Sequence, residues 1–107
     1  MCKGQNIPER MKSIRKYIQA LHCPTRWAII DCIGMGQKSS KEIYEELKFE
    51  EAGLTLAGLY YHLSALKSAE IIELASYKEV KGGTPEKVWK LKTRRIVIDL
   101  LEENEVE

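Results

Sequence analysis

The chain has 107 residues, 44% of them hydrophobic and 31% charged, with a formal net charge of +1. That is the make-up of one ordinary globular domain with a single modest core, and the near-neutral sum offers no global attraction for a polyanion. The longest apolar run, Trp27 to Ile30, is far too short for a membrane span, and the charged, proline-containing N-terminus is no signal peptide; an intracellular, cytoplasmic protein is expected, with no membrane partner.

In chain order, Pro8 to Leu21 places Met11, Ile14, Ile18 and Leu21 three and four apart among Arg10, Lys12, Arg15 and Lys16, the pattern of an amphipathic helix. Cys23-Pro24 opens a second helix, since proline suits the first helical position; it carries Trp27, Ile29, Ile30 and Ile33 and stops at Gly34-Met-Gly36. Ser39-Ser-Lys-Glu42 is a capping box. It starts a third helix that uses Ile43, Tyr44 and Leu47 and has its end marked by Gly53.

Thr55 is a good N-cap for a fourth helix over residues 55–68, with a stripe of Leu56, Leu59, Leu63 and Leu66. Opposite the stripe stand Ala57, Tyr61 and Ser64, flanked by Gly58 and Tyr60. This face carries little bulk and no charge at its front end, as a helix entering a narrow groove requires. Glycine within a helix costs about 1 kcal/mol against alanine, so Gly58 is read as allowing close backbone approach. Tyr60 is expected to be partly core and Tyr61 to face outward. His62, at the edge of the stripe, reads as a packed histidine bonded to backbone.

Two strands follow, Ile72–Lys78 and Glu86–Lys92, joined by a hairpin tip that holds Gly82-Gly83 and Thr84-Pro85. The closing segment, 94–103, contains Ile96, Val97, Ile98, Leu100 and Leu101. As a helix it would be apolar over too wide an arc for one-sided packing, and burial on two sides is expected. The near-neutral total hides basic stretches and an acidic tail. Lys78, Lys81, Lys87, Lys90, Lys92, Arg94 and Arg95 face only Glu79 and Glu86, whereas Asp99, Glu102, Glu103, Glu105 and Glu107 close the chain.

Cys2, Cys23 and Cys32 are an odd set without CxxC spacing. On one helix Cys23 and Cys32 would stand roughly 13 Å apart, beyond disulfide reach, which fits a reducing compartment. Cys23, at a helix N-terminus beside His22, is the one candidate for redox or metal chemistry; an inert packed thiol is the simpler reading. No nucleophile–base pair, phosphate-cradling loop or paired carboxylates can be argued from the sequence, so no enzyme, cofactor or metal is expected.

Four helices, two strands and a fifth helix over 1–107 make a mainly α domain with a small β-hairpin, a single winged helix-turn-helix. Ala20-Leu-His-Cys-Pro-Thr-Arg-Trp-Ala-Ile-Ile30, Glu42-Ile-Tyr-Glu-Glu-Leu47, Leu59-Tyr-Tyr-His-Leu-Ser-Ala-Leu66 and Val88-Trp-Lys-Leu91 resemble, in order, segments of the arsenic-repressor (ArsR) superfamily. The resemblance implies a DNA-binding transcriptional regulator, by default a repressor, with the 55–68 helix in the major groove. The residues expected at double-stranded DNA are Ser39, Ser40 and Lys41 at the start of the third helix; Thr55, Ala57, Gly58, Tyr60, Tyr61, Ser64 and Lys67 on the fourth; and Lys81, Gly82, Gly83, Thr84 and Lys87 in the wing. The resemblance also implies a homodimer built from helices 8–21 and 94–103, through Met11, Ile14, Ile18, Leu21, Val97, Leu100 and Leu101. The family's metal-sensing positions lack their ligands here, which leaves any effector, small molecule or metal, unspecified.

With no Arg, Asn or Gln on the groove face, bidentate base readout is largely absent. Modest specificity and strong salt dependence are expected. Two features depart from the family pattern: a longer connection between Leu47 and Leu59, and Glu70 where a helix-ending glycine is usual. The alternative function is a winged helix that docks proteins in a transcription assembly, a use in which the basic wing tends to be lost.

Overall fold

The structure is a computed structural model that describes residues 8–101, apart from the side chain of Arg10. Its elements are α1 (Glu9–Leu21), α2 (Pro24–Ile33), β1 (Gln37–Ser39), α3 (Ser40–Leu47), α4 (Leu56–Ser68), β2 (Ile72–Lys78) and β3 (Glu86–Leu91). The winged helix-turn-helix expected from the sequence is present, with one strand more than the pattern announced. β3 lies in the middle of an antiparallel sheet of order β1-β3-β2. Lys38 and Leu74 both pair with Trp89, and β2 bulges between Leu74 and Ser76.

Local chemistry sets the helix boundaries. Pro24 opens α2, and Gly34 closes it with φ +57°, a conformation that penalises any side chain. The capping box of α3 is complete: Ser39 Oγ accepts from the Glu42 amide at 3.1 Å, and Glu42 Oε1 accepts from the Ser39 amide at 2.8 Å. Backbone donation and Lys78 hold the Glu42 carboxyl below its usual range. α3 ends at Leu47, earlier than Gly53 suggested; turns fill the remainder of the long connection, where Leu54 packs on the core.

The end of α4 closes in a Schellman arrangement. The Ile71 amide donates to the Leu66 carbonyl at 3.0 Å and the Glu70 amide to the Lys67 carbonyl at 2.9 Å. Glu70 occupies the left-handed position with φ +64°, where glycine is usual. Its carboxylate pairs with Lys16 of α1 at 2.9 Å and Lys92 at 3.5 Å, and Lys16 is the main cause that lowers its pKa. A left-handed non-glycine residue costs roughly 1–2 kcal/mol, while exposed pairs give about 0–1 kcal/mol each. Relief of the strain, loss of both ion pairs and glycine's extra unfolded-state entropy nearly cancel, so Glu70→Gly should change Tm by less than about 3 °C; a larger fall in thermal denaturation would mean that the ion pairs outweigh the strain.

Ile29, Ile33, Ile43, Leu47, Leu59, Leu63, Leu66, Ile71, Ile72 and Trp89 form the core, with Ala20 as the buried contribution of α1. Leu56 does not join its stripe. It is the first residue of α4, where the helix projects past the core, and it is exposed. The α1 face is only half used: Ile14 and Leu21 are partly buried, whereas Met11 and Ile18 are exposed.

The expected closing helix is not formed over 94–101, which runs in irregular backbone; 102 and 103 lie outside the described residues, as do Cys2 and Lys3. Three successive β-branched residues disfavour helix, and so short a helix is marginal without a surface to pack on. The Thr93 hydroxyl is turned back to the end of α4, donating to the Glu70 carbonyl at 2.7 Å. Ile96 and Ile98 instead line a groove with Ile14, Tyr17, Ile18 and Leu21, while Val97, Leu100 and Leu101 are exposed.

Candidate nucleic-acid interface

Thr55 caps α4 by accepting from the Gly58 amide at 2.9 Å. A Cβ at Gly58 would stand 3.2 Å from that same Thr55 oxygen, so the glycine keeps the cap uncrowded, a local reason beside any approach of DNA. From this start α4 turns Ala57, Tyr60, Tyr61, Ser64 and Lys67 outward. Tyr60 is 52% exposed and Tyr61 67%; the expectation that Tyr60 is partly core therefore gives way, because the leucines at 59, 63 and 66 fill that space.

Across from α4, the wing presents Lys81, Gly82, Gly83 and Thr84, all exposed. Between helix and wing lies a cleft of about 390 Å³. It brings together six residues expected from the sequence, Ser40, Tyr60, Ser64, Lys67, Thr84 and Lys87, over a floor of Leu63, Pro85 and Trp89. Lys41 borders an adjoining depression of mixed charge, with Lys38, Ser39 and Lys78 beside Glu42, Glu45 and Glu46, and Glu86 lines both. Thr55, Ala57, Gly58 and Tyr61 lie outside the cleft, at the front of α4.

Ser39 and Ser40 are both buried. Ser39 is consumed by its capping box, and Ser40 Oγ accepts from the Trp89 indole at 2.9 Å. Neither side chain is placed to meet a phosphate; what remains for one is the start of α3 and the exposed Lys41.

Ion pairing divides the basic segment. Lys78 pairs with Glu42 at 3.5 Å, Lys90 with Glu73 at 3.9 Å and Lys92 with Glu70 at 3.5 Å. Lys41, Lys67, Lys81 and Lys87 form no ion pair with the described residues. Arg15, Arg94 and Arg95 are also without an ion pair among the described residues, so these four lysines are one group of uncompensated cations, the one that borders the cleft and the wing tip.

Two supports escaped the sequence reading. Trp89 ties the wing to the start of α3. Arg26, 9% exposed, donates from Nε to His62 Nδ1 at 3.0 Å and from a terminal nitrogen to the Ala20 carbonyl at 3.2 Å. His62 is packed as expected, but its partner is this guanidinium rather than backbone; burial first, then Arg26, pushes its pKa down. The Pro24-Thr25-Arg26 pattern was the available signal, since Thr25 also donates to Glu51 at 3.0 Å. Burial raises the Cys32 thiol pKa, which disfavours a reactive thiolate there. Among the described residues no group of three or more His, Cys, Asp or Glu side chains could hold a metal ion, and no helix is long and apolar enough to cross a membrane.

The helix-turn-helix domain family matches residues 20–75. No curated protein matches the chain in sequence. Solved structures share the fold at low identity. Reduced HlyU from Vibrio cholerae N16961 is 17% identical, with a TM-score of 0.61 over 78% of this chain and 76% of its own. Rv0081 of M. tuberculosis is 15% identical, with a TM-score of 0.58 over 81% and 77%. The Vibrio cholerae ferric uptake regulator, described with DNA-binding domains, is 22% identical, with a TM-score of 0.51 over 75% and 64%.

Proposed function

The chain belongs to the helix-turn-helix domain family, and from that premise we propose that it is a DNA-binding transcriptional regulator of ArsR-like type, acting as a repressor, with α4 in the major groove and the wing on the backbone. The carrying observation is the exposed α4 face of Ala57, Tyr60, Tyr61, Ser64 and Lys67, bordered by lysines 41, 67, 81 and 87 without ion-pair partners among the described residues. Those lysines contact phosphates, which give affinity and register but no sequence information. Ala57 and Tyr61 provide shape and apolar contact to the bases, so specificity is modest. A wing that docks proteins has no need of this concentrated charge.

The second element of the proposal is a homodimer. Met11, Ile18, Val97, Leu100 and Leu101 are exposed apolar side chains of one monomer, and in the dimer a second copy covers them, placing two α4 helices for two half-sites. Random duplex at low salt should give an electrophoretic shift that Tyr61→Ala with Lys81→Ala removes, and sedimentation should give a dimer. No shift by the parent protein overturns DNA binding; a monomer at micromolar concentration overturns the dimer.

A further inference from the structure

Arg26 is an unusual place to spend a charge. A buried guanidinium is costly unless its donors and its charge are both met, yet no carboxylate among the described residues pairs with it. Its partners are neutral. The Ala20 carbonyl takes one terminal nitrogen, His62 Nδ1 takes Nε–H, and the ring of Tyr61 lies with its centroid 5.6 Å from Cζ. The His62 ring stands edge-on to Tyr61, with centroids 5.7 Å apart.

Acceptance at Nδ1 requires the His62 tautomer that carries its proton on Nε2. That bond orients the guanidinium while the Ala20 carbonyl anchors it from the end of α1. A bond to Ala20 alone would suffice to join α1 to α2; the rest of the fork is turned to α4, and specifically to the two residues behind and on its outer face. Tyr61 is largely exposed and would otherwise exchange rotamers freely, whereas a cation held against the ring selects one of them.

We infer that Arg26 is a positioning residue for DNA recognition, fixing the Tyr61 ring from beneath so that the phenol enters the groove already oriented. The inference rests on the proposed DNA-binding role of α4. Arg26 touches no DNA itself. Its effect is to remove the ordering cost that a mobile tyrosine would incur on binding.

The test is a double-mutant cycle on duplex affinity, followed by fluorescence anisotropy at fixed salt, with NMR of the DNA-free protein. Tyr61→Ala and Arg26→Met should each weaken binding about five- to tenfold, and the double variant should lose little more than either alone. Arg26→Lys, which keeps a cation near the ring, should recover part of the loss. In the free parent, nuclear Overhauser contacts should join the Arg26 side chain to the Tyr61 ring, and Tyr61→Leu should move the Arg26 Nε–H resonance while leaving Tm nearly unchanged. These spectra decide the matter even if Arg26→Met fails to fold. Multiplicative losses in the cycle, or no Arg26–Tyr61 contact in the spectra, would overturn the inference. A parent that binds no duplex at low salt overturns the DNA-binding reading, and with it the recognition role of Arg26, whatever the spectra show.

Discussion

Glutamine at Lys41, Lys67, Lys81 and Lys87 together should lower affinity for duplex DNA about a thousandfold near 0.1 M salt. It should also flatten the plot of log affinity against log salt by about three to four units. Each phosphate contact releases close to one condensed counterion, so four lost contacts set both figures. The decisive comparison is the triple replacement of Lys78, Lys90 and Lys92. These carry similar formal charge and lie in the same basic segment, but each already faces a carboxylate, on Glu42, Glu73 or Glu70. Their loss should change the slope by less than about one unit, because a cation compensated within the protein displaces few counterions. Equal losses from the two sets, in a salt titration followed by anisotropy, would mean that binding reads diffuse charge and not the cluster around the cleft.

That distinction among lysines could not be read from sequence. Glu42 and Lys78 are far apart in the chain, and only folding brings them together. What was legible was local. The Ser39–Glu42 box, the Thr55 cap and Pro24 at the start of α2 each depend on neighbours a few residues away, and each stands where the pattern placed it. The leucine period identified the buried face of α4 at 59, 63 and 66 but failed at Leu56, because periodicity does not tell where a helix runs past its core. β1 is three residues long, Gln37–Ser39, too short and too polar to announce itself; its pairing with β3 creates it. Ser40 reads as a phosphate ligand in sequence, but it is buried, and its Oγ accepts from the indole of Trp89, 49 residues away. The closing segment misled for another reason. Its apolar residues suggest a helix buried on two sides, but three successive β-branched residues disfavour helix, and 94–101 are irregular, with Val97, Leu100 and Leu101 exposed.

Trp89→Ala should be the most damaging single substitution in the wing, at about 3–5 kcal/mol. The two tryptophans of the chain look alike in sequence and differ sharply in the fold. Trp27 is 51% exposed, with its indole donating to the Leu21 carbonyl at 2.9 Å. Trp89 is 4% exposed, sits on the central strand between Lys38 and Leu74, floors the cleft, and donates to buried Ser40 at 2.9 Å. Its removal empties the junction of sheet, α3 and α4. Against the roughly 5–15 kcal/mol that holds a domain together, such a loss lowers Tm by well over 10 °C. Trp27→Ala should cost about 1 kcal/mol, since about half of its surface is already in water. Ser40→Ala should fall between them, at about 1–3 kcal/mol, by leaving the Trp89 indole buried without an acceptor. The functional consequence follows from the same contacts. Trp89 ties the wing to the start of α3, so at a temperature where the Ser40→Ala protein is still folded its affinity for duplex should fall as well, through a wing less firmly held rather than through any lost DNA contact. Thermal denaturation followed by circular dichroism gives the order of the three variants, and a larger loss at Trp27 than at Trp89 would refute this account of how the wing is held.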